Sequence, residues 1–118
     1  MATAHPDHAL VSSEDVEGTT VYDKSGNKIG EVDHMMIDKI SGRVIYAVVS
    51  FGGFLSLGHS HYPLPWEALS FDKKLDGFRT TVSEQQVHDA PEFSDDAWQS
   101  RDWERNIHKH YNVEPYWG

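Results

Sequence analysis

The stretch 43–51 constrains this chain more than any other, because it predicts a strand with apolar residues on both faces. Side chains alternate across a strand, and each face of this one carries a continuous apolar row. The first face carries Ile45, Ala47, Val49 and Phe51, and the second carries Val44, Tyr46 and Val48. Such a strand has to be covered twice. One cover is the interior of a barrel or sandwich, and the other has to be a terminal helix, a neighbouring subunit or a partner.

Turn signals divide the surrounding sequence into further strands. The turn cluster 23–27 separates the β-forming segments 19–22 and 28–38, which predicts a hairpin with a bulge or twist near Met35 and Met36. Two prolines restrict 62–65 to an extended edge segment, and 66–69 follows as a single helical turn. A second hairpin is predicted from 70–72 and 77–82. With a short capped turn at 11–18, this pattern indicates a mostly-β domain.

The last quarter of the chain carries helix signals instead. Ser83 and Gln86 have the spacing of a capping box, which predicts a short helix halted by Pro91. A longer helix is expected from Ser94 to about Tyr111. Its residues Ala97, Trp103, Ile107 and Tyr111 would share one side, whereas Trp98 lies off that stripe. We therefore divide the chain into a flexible segment at 1–10, a β domain at 11–90 and an acidic, aromatic-rich helical extension at 91–118.

The charge is concentrated at the two ends of the chain. The formal net charge is -9, and the region 83–118 alone carries eight acids against three Lys or Arg residues. The only tight basic pair is Lys73 and Lys74, so nucleic acid is not an expected ligand. No apolar run approaches the roughly 20 residues of a membrane-spanning helix, so membrane insertion is not expected. These features predict a soluble cytoplasmic protein.

No set of residues predicts catalysis. Cysteine is absent, which removes thiol nucleophiles and disulfides. His59 and His61 would project to the same side of an extended segment and could share an ion, but spacing assigns no third ligand. His108 and His110 lie roughly 200° apart on a regular helix and could not share one. We expect no enzymatic activity, no cofactor and no metal site, and we expect the histidines to be exposed.

Three segments together resemble the PRC-barrel family. They are the runs 18–32, 37–55 and 63–69, of which the second ends in Val49-Ser50-Phe51-Gly52-Gly53-Phe54-Leu55 and the third ends in Pro65-Trp66-Glu67-Ala68-Leu69. The resemblance covers about residues 10–90. It implies an all-β fold, a small and partly open antiparallel barrel, here followed by short C-terminal helices. It also implies a non-enzymatic interaction or assembly module and brings no catalytic residues with it.

The functional prediction is a non-catalytic protein-interaction or self-assembling module of bacterial origin, whose partner is a second copy of the chain or another protein. The candidate interface combines loop residues with C-terminal aromatics: Phe54, Leu55, Leu57, Trp98, Trp103, Tyr111 and Trp117. For Trp103, packing onto the doubly apolar strand is the simpler interpretation. Two alternatives stay open: a metal or small-ligand sensor using His59 and His61, and an accessory role at a photosynthetic reaction centre or in ribosome or RNA processing.

Overall fold

A computed structural model of the chain describes residues 10–51, 61–91 and 93–117. Within them, one six-stranded sheet is followed by short helices. The strands are β1 (Thr20–Tyr22), β2 (Lys28–Ile37), β3 (Val44–Ser50), β4 (His61–Pro65), β5 (Leu69–Asp72) and β6 (Gly77–Thr80). The helices are α1 (Ser13–Val16), α2 (Glu84–His88) and α3 (Arg101–Tyr111), with 3-10 turns at Trp66–Ala68 and Asp95–Gln99. Both predicted hairpins, the edge segment and the turn at 66–69 are confirmed.

The strand order in the sheet is β4-β3-β2-β1-β6-β5. Four of the pairings are antiparallel, but β1 and β6 run parallel, with Val21 opposite Phe78. The prediction of a purely antiparallel, all-β barrel is therefore too strict, because one seam is parallel and α3 is a full helix. Strands β4 and β5 lie at opposite edges of the sheet, and the turn Trp66–Ala68 connects them. Because this connection does not reverse the direction of the chain as a hairpin does, β6 runs parallel to β1. Among the described residues, no pairing joins β4 to β5, so the sheet stays open there.

The longest strand, β2, is irregular at two points along its pairing with β3. Its register against β3 shifts between Val32 and His34 and again between Met36 and Ile37. The second shift confirms the bulge predicted near Met36, and the sequence pattern did not predict the first. Gly30 lies so close to β3 that a Cβ there would stand 2.4 Å from the carbonyl oxygen of Ser50. Glycine at this position lets the two backbones approach as the sheet curls.

Strand β3 is buried on both faces, as its sequence predicted. Five consecutive residues, from Ile45 to Val49, are each at most 8% exposed. Both rows of side chains are therefore excluded from water within a single copy of the chain. The sheet covers itself on one face of β3, and the C-terminal extension covers the other.

The predicted helix over 94–111 is wrong in one respect, because it is broken at Ser100. A 3-10 turn comes first, and Ser100 then has an extended backbone with φ -113° and ψ 111°. The Ser100 hydroxyl accepts a hydrogen bond from the backbone N–H of Trp103 at 3.1 Å and so caps α3. Ser94 makes no such side-chain cap, so the stronger helix start lies six residues later. The break turns Trp98 towards the sheet.

Candidate interaction surface

Tyr46 on β3 is where the extension meets the barrel. Its ring centroid lies 5.3 Å from that of Trp98, 5.4 Å from that of His108 and 6.4 Å from those of Trp103 and Tyr116. Aromatic pairs at these separations stabilise beyond the area they bury. The second cover of β3 is therefore the terminal extension of the same chain.

Hydrogen bonds join three of these aromatic residues and Glu104 in a buried polar cluster. The hydroxyl of Tyr46 donates to Oε1 of Glu104 at 2.8 Å, and Tyr116 donates to the same oxygen at 2.7 Å. Nε2 of His108 lies 2.8 Å from the Tyr46 oxygen. Because Tyr46 has a single proton and gives it to Glu104, His108 donates to it through Nε2–H. We call Tyr46, Glu104, His108 and Tyr116 the clasp.

The polar groups of the clasp are buried, and a cation lies beside its carboxylate. Glu104 is 6% exposed and His108 is 3% exposed, so both polar side chains lie within the fold. Desolvation, and then the hydrogen bond to Glu104, raise the pKa of Tyr46 far above its usual range and that of Tyr116 to about 12. The nearest cation is Arg101, whose Nε stands 4.0 Å from Oε2 of Glu104. Both tyrosines are therefore held neutral and donate hydrogen bonds to the Glu104 carboxylate.

The guanidinium of Arg101 also holds the end of the chain. It lies 4.1 Å above the ring of Trp117 and 5.4 Å above that of Tyr116. The ring of Trp117 packs edge-on against His108 with centroids 5.5 Å apart. The C-terminal aromatics are thus fixed against α3 by ring contacts as well as by the clasp.

An apolar surface lies beside the clasp, at the turn between β2 and β3. Ile40 is 96% exposed and Ile37 is 52% exposed. A small cavity of about 110 Å³ separates Ile37 from the extension, and Met36, Trp98 and Tyr116 also line it. We call Met36, Ile37, Ile40, Trp98 and Tyr116 the junction patch. Contiguous exposed apolar patches are typical of contact sites.

The structure places the predicted interface residues in three different settings. Trp98 and Trp103 are half-buried and pack against Phe93, with centroids 5.2 Å and 5.7 Å from its ring. Tyr111 is buried in the core cluster, where desolvation raises its pKa, so its side chain lies beneath the surface. Trp117 follows α3, is half-buried and packs against His108. Phe54, Leu55 and Leu57 lie outside the described residues, and their part in an interface stays a prediction.

The histidines differ from the expectation that all would be exposed. His108 is buried, which corrects that prediction, because the break at Ser100 lets α3 turn it towards Tyr46. His61 lies on β4 with its Nε2 3.7 Å from Oδ1 of Asp33, and Nδ1 of His34 lies 2.6 Å from Oδ2 of the same carboxylate. The hydrogen bond with His34, reinforced by His61, lowers the pKa of Asp33.

Metal ligands do not converge in the part of the chain that the structure describes. No group of three or more His, Cys, Asp or Glu side chains there is arranged to hold an ion. His59 lies outside that part, so the possible pair of His59 with His61 stays a prediction.

The sequence reasoning missed Glu104 and His108 as members of the clasp. Their signal was a pair of polar residues spaced i and i+4 beside the apolar stripe of Trp103 and Ile107. That spacing puts both side chains at the margin of the buried face of α3. Their common partner, Tyr46, is 58 positions from Glu104, and spacing within the helix could not reveal it.

The comparison with family models agrees with this architecture. In the described residues no helix is long and apolar enough to cross a bilayer. A search of curated proteins finds no match to the chain. The family model of the PRC-barrel domain matches residues 9–87, which is more than half of the chain and nearly the span predicted from the motifs. The chain therefore belongs to the PRC-barrel family, whose domain is a general protein-interaction module.

Proposed function

We propose that this chain is a non-catalytic module that self-associates through the junction patch, with the segment containing Phe54, Leu55 and Leu57 contributing to the contact. The observation that carries the proposal is the exposure of Ile37 and Ile40, of which Ile37 lines a cavity together with Trp98 and Tyr116 of the extension. A stable association covers about 800 Å² per partner, more than these two side chains offer alone. The remaining area would come from the half-buried aromatics and from the loop.

The clasp makes this surface suitable for docking. Trp98 lies against Tyr46, which is hydrogen-bonded to Glu104, so the aromatic part of the patch rests on buried and fixed groups. A surface already ordered before contact loses less conformational entropy on association than a mobile one. Within this proposal, the extension therefore acts as a support for the interface as well as a cover for β3.

Point variants test the proposal better than truncation. A chain ending at Pro91 would lose Glu104 and His108 and expose the second face of β3, so its association state would report damage to the core. The exposed pair Ile37→Lys and Ile40→Lys replaces no residue of the clasp. The matched control is Leu10→Lys with Val11→Lys, two exposed apolar residues at 87% and 48% exposure, with the same change in net charge.

Sedimentation velocity over a range of concentrations gives the answer. We expect the unaltered chain to sediment above its monomer mass of 13.4 kDa. The Ile37 and Ile40 variant should become monomeric, and the Leu10 and Val11 control should keep the mass of the unaltered chain. A wild-type chain that stays monomeric at every concentration would overturn self-association through this patch. Equal dissociation of both variants would show that added charge, not the patch, controls assembly.

A second candidate function is an ion sensor using His59 and His61. It is favoured by one observation, the placement of His61 beside the Asp33 carboxylate. A site of this kind predicts that zinc or nickel raises the melting temperature, because an ion bound only by the folded state stabilises it. An unchanged melting temperature at ion concentrations well above micromolar would remove this candidate. A role on ribosomal RNA predicts instead binding that weakens steeply with salt.

A further inference from the structure

The two edges of the sheet are protected to different degrees. At the β4 edge, Pro63 and Pro65 have no N–H to offer, and α3 contacts the same strand. At the β5 edge, none of the four residues is a proline, and no described strand lies beyond it. An antiparallel strand with one neighbour turns half of its peptide groups outward. Proteins usually block such an edge, so an open one is a ready site for strand addition.

Side chains on the β5 edge suit an incoming strand. Phe71 is 44% exposed although it is a large aromatic residue, and its ring is braced edge-on by Phe78 at 5.8 Å between centroids. Ser70 beside it is also exposed. A cross-strand neighbour of Phe71 would therefore meet an apolar ring already held in place.

The charge at this edge is opposite to that of the molecule as a whole. Oδ1 of Asp72 accepts the N–H of Lys74 at 2.9 Å, and its Oδ2 accepts from Arg79 at 3.1 Å and 3.2 Å, so this carboxylate is already satisfied. Lys73 and Lys74 make no ion pair within the described residues. Asp76 is the one other acid in the turn. On a chain of net charge -9, the turn after β5 therefore presents two free ammonium groups.

We infer that the outer edge of β5 binds an extended acidic segment of a partner protein, which adds to the sheet as a further strand. The segment would pair its backbone with Leu69–Asp72, place an apolar side chain on Phe71 and place carboxylates near Lys73 and Lys74. A depression of about 440 Å³ lies along this edge, bounded by Ser70, Phe71, Asp72, Lys73, Lys74 and Arg79. A strand of four residues supports a weak and reversible contact.

The experiment is an amide-shift titration of the full isotope-labelled chain with a blocked six-residue peptide of alternating glutamate and valine. We expect saturable shifts centred on Leu69–Asp72 and the following turn. The peptide with lysine in place of glutamate should bind at least about tenfold more weakly, which tests the charge argument. Phe71→Thr keeps a strand-forming residue but removes the ring, and should weaken binding about tenfold.

Matched variants separate the edge from the overall charge. Lys73→Glu with Lys74→Glu should abolish the shifts, whereas Lys39→Glu with Lys109→Glu, two exposed lysines elsewhere, should leave affinity within about twofold. Three results would overturn the inference: no shift at millimolar peptide, shifts centred on another surface, or equal binding of the lysine peptide. A concentration-dependent dimer lost in Phe71→Thr would assign the edge to a second copy instead. Ile37→Lys should bind the peptide normally, so failure of the junction patch would not be confused with failure here.

Discussion

Replacing Tyr46 with phenylalanine removes a single hydroxyl from the middle of the clasp. The change keeps the ring and its contacts with Trp98 and His108, so the apolar packing of β3 is retained. Two hydrogen bonds are lost, one to Glu104 and one from His108, both at 2.8 Å. Glu104 keeps its bond from Tyr116. The substitution therefore measures the polar link between the barrel and the extension.

The expected cost is about 3 kcal/mol of unfolding free energy. A hydrogen bond to a charged acceptor contributes about 1.5 to 3 kcal/mol, and a buried donor left unpaired costs about 1 to 3 kcal/mol. The two contributions are not added in full, because both describe the loss of the same hydroxyl. His108 is the group left unpaired, and its Nδ1 already has no partner, so neither ring nitrogen would then be satisfied.

Urea unfolding followed by tryptophan fluorescence and by far-UV circular dichroism measures this cost. The matched control is Tyr22→Phe, because the Tyr22 hydroxyl makes only a long contact of 3.5 Å with the Leu75 carbonyl and should cost less than about 0.5 kcal/mol. Tyr116→Phe should fall between the two, at about 1 kcal/mol, because its ring is only half-buried. If Tyr46→Phe costs no more than Tyr22→Phe, the clasp does not stabilise the extension.

Three further perturbations test other parts of the structure. Raising the pH from 10 to 12 should lower the unfolding free energy. The pKa of Tyr116 is raised from 10.0 to about 12 in the folded state, so over this range the unfolded chain loses the tyrosine proton first and is stabilised relative to the folded one. Absorbance at the tyrosinate band follows the ionisation. Gly30→Ala should cost about 3 kcal/mol in urea unfolding, because the new methyl group would meet the Ser50 carbonyl at 2.4 Å. Ser83→Ala should cost about 1 kcal/mol, because it removes the hydroxyl that accepts from the Gln86 N–H at 3.1 Å.

A different result would contradict each of these three predictions. Tyrosine absorbance that titrates fully near pH 10 while the fold is intact would contradict the shielding of Tyr116. A Gly30→Ala protein as stable as the unaltered chain would mean that β2 and β3 separate easily. For the cap, Ser83→Thr is the control, because it retains a hydroxyl and should recover most of the loss. A Ser83→Ala cost equal to that of Ser83→Thr would show that the cap hydrogen bond does not matter.

Local sequence rules predicted the strands well. Hydrophobic alternation and turn residues placed β2 and β3, and the prolines at 63 and 65 predicted that β4 lies at an edge. Each of these signals acts within a few residues of the chain. The sequence also predicted that both faces of β3 are covered, because every residue of a strand with two apolar faces has to be buried.

The features that the sequence did not reveal depend on contacts between distant residues. The parallel seam joins Val21 to Phe78, and no local pattern encodes the direction in which two remote strands meet. The helix start predicted at Ser94 was wrong, because Ser100 leaves the helical conformation and its side chain, not that of Ser94, caps α3. The clasp was missed because its members are distant in sequence, and Tyr46 was interpreted only as part of an apolar strand face.

The parallel seam has a consequence for the order in which the molecule folds. Strand β1 has only three residues, and its neighbour β6 lies more than fifty positions further along the chain. Until the last hairpin has formed, one side of β1 has no strand to pair with. Bringing such distant segments together loses chain entropy before any contact compensates, so this closure is expected to be the slow step of folding. During synthesis on a ribosome, the backbone groups of β1 that pair with β6 would have no strand partner until the β5–β6 hairpin emerged.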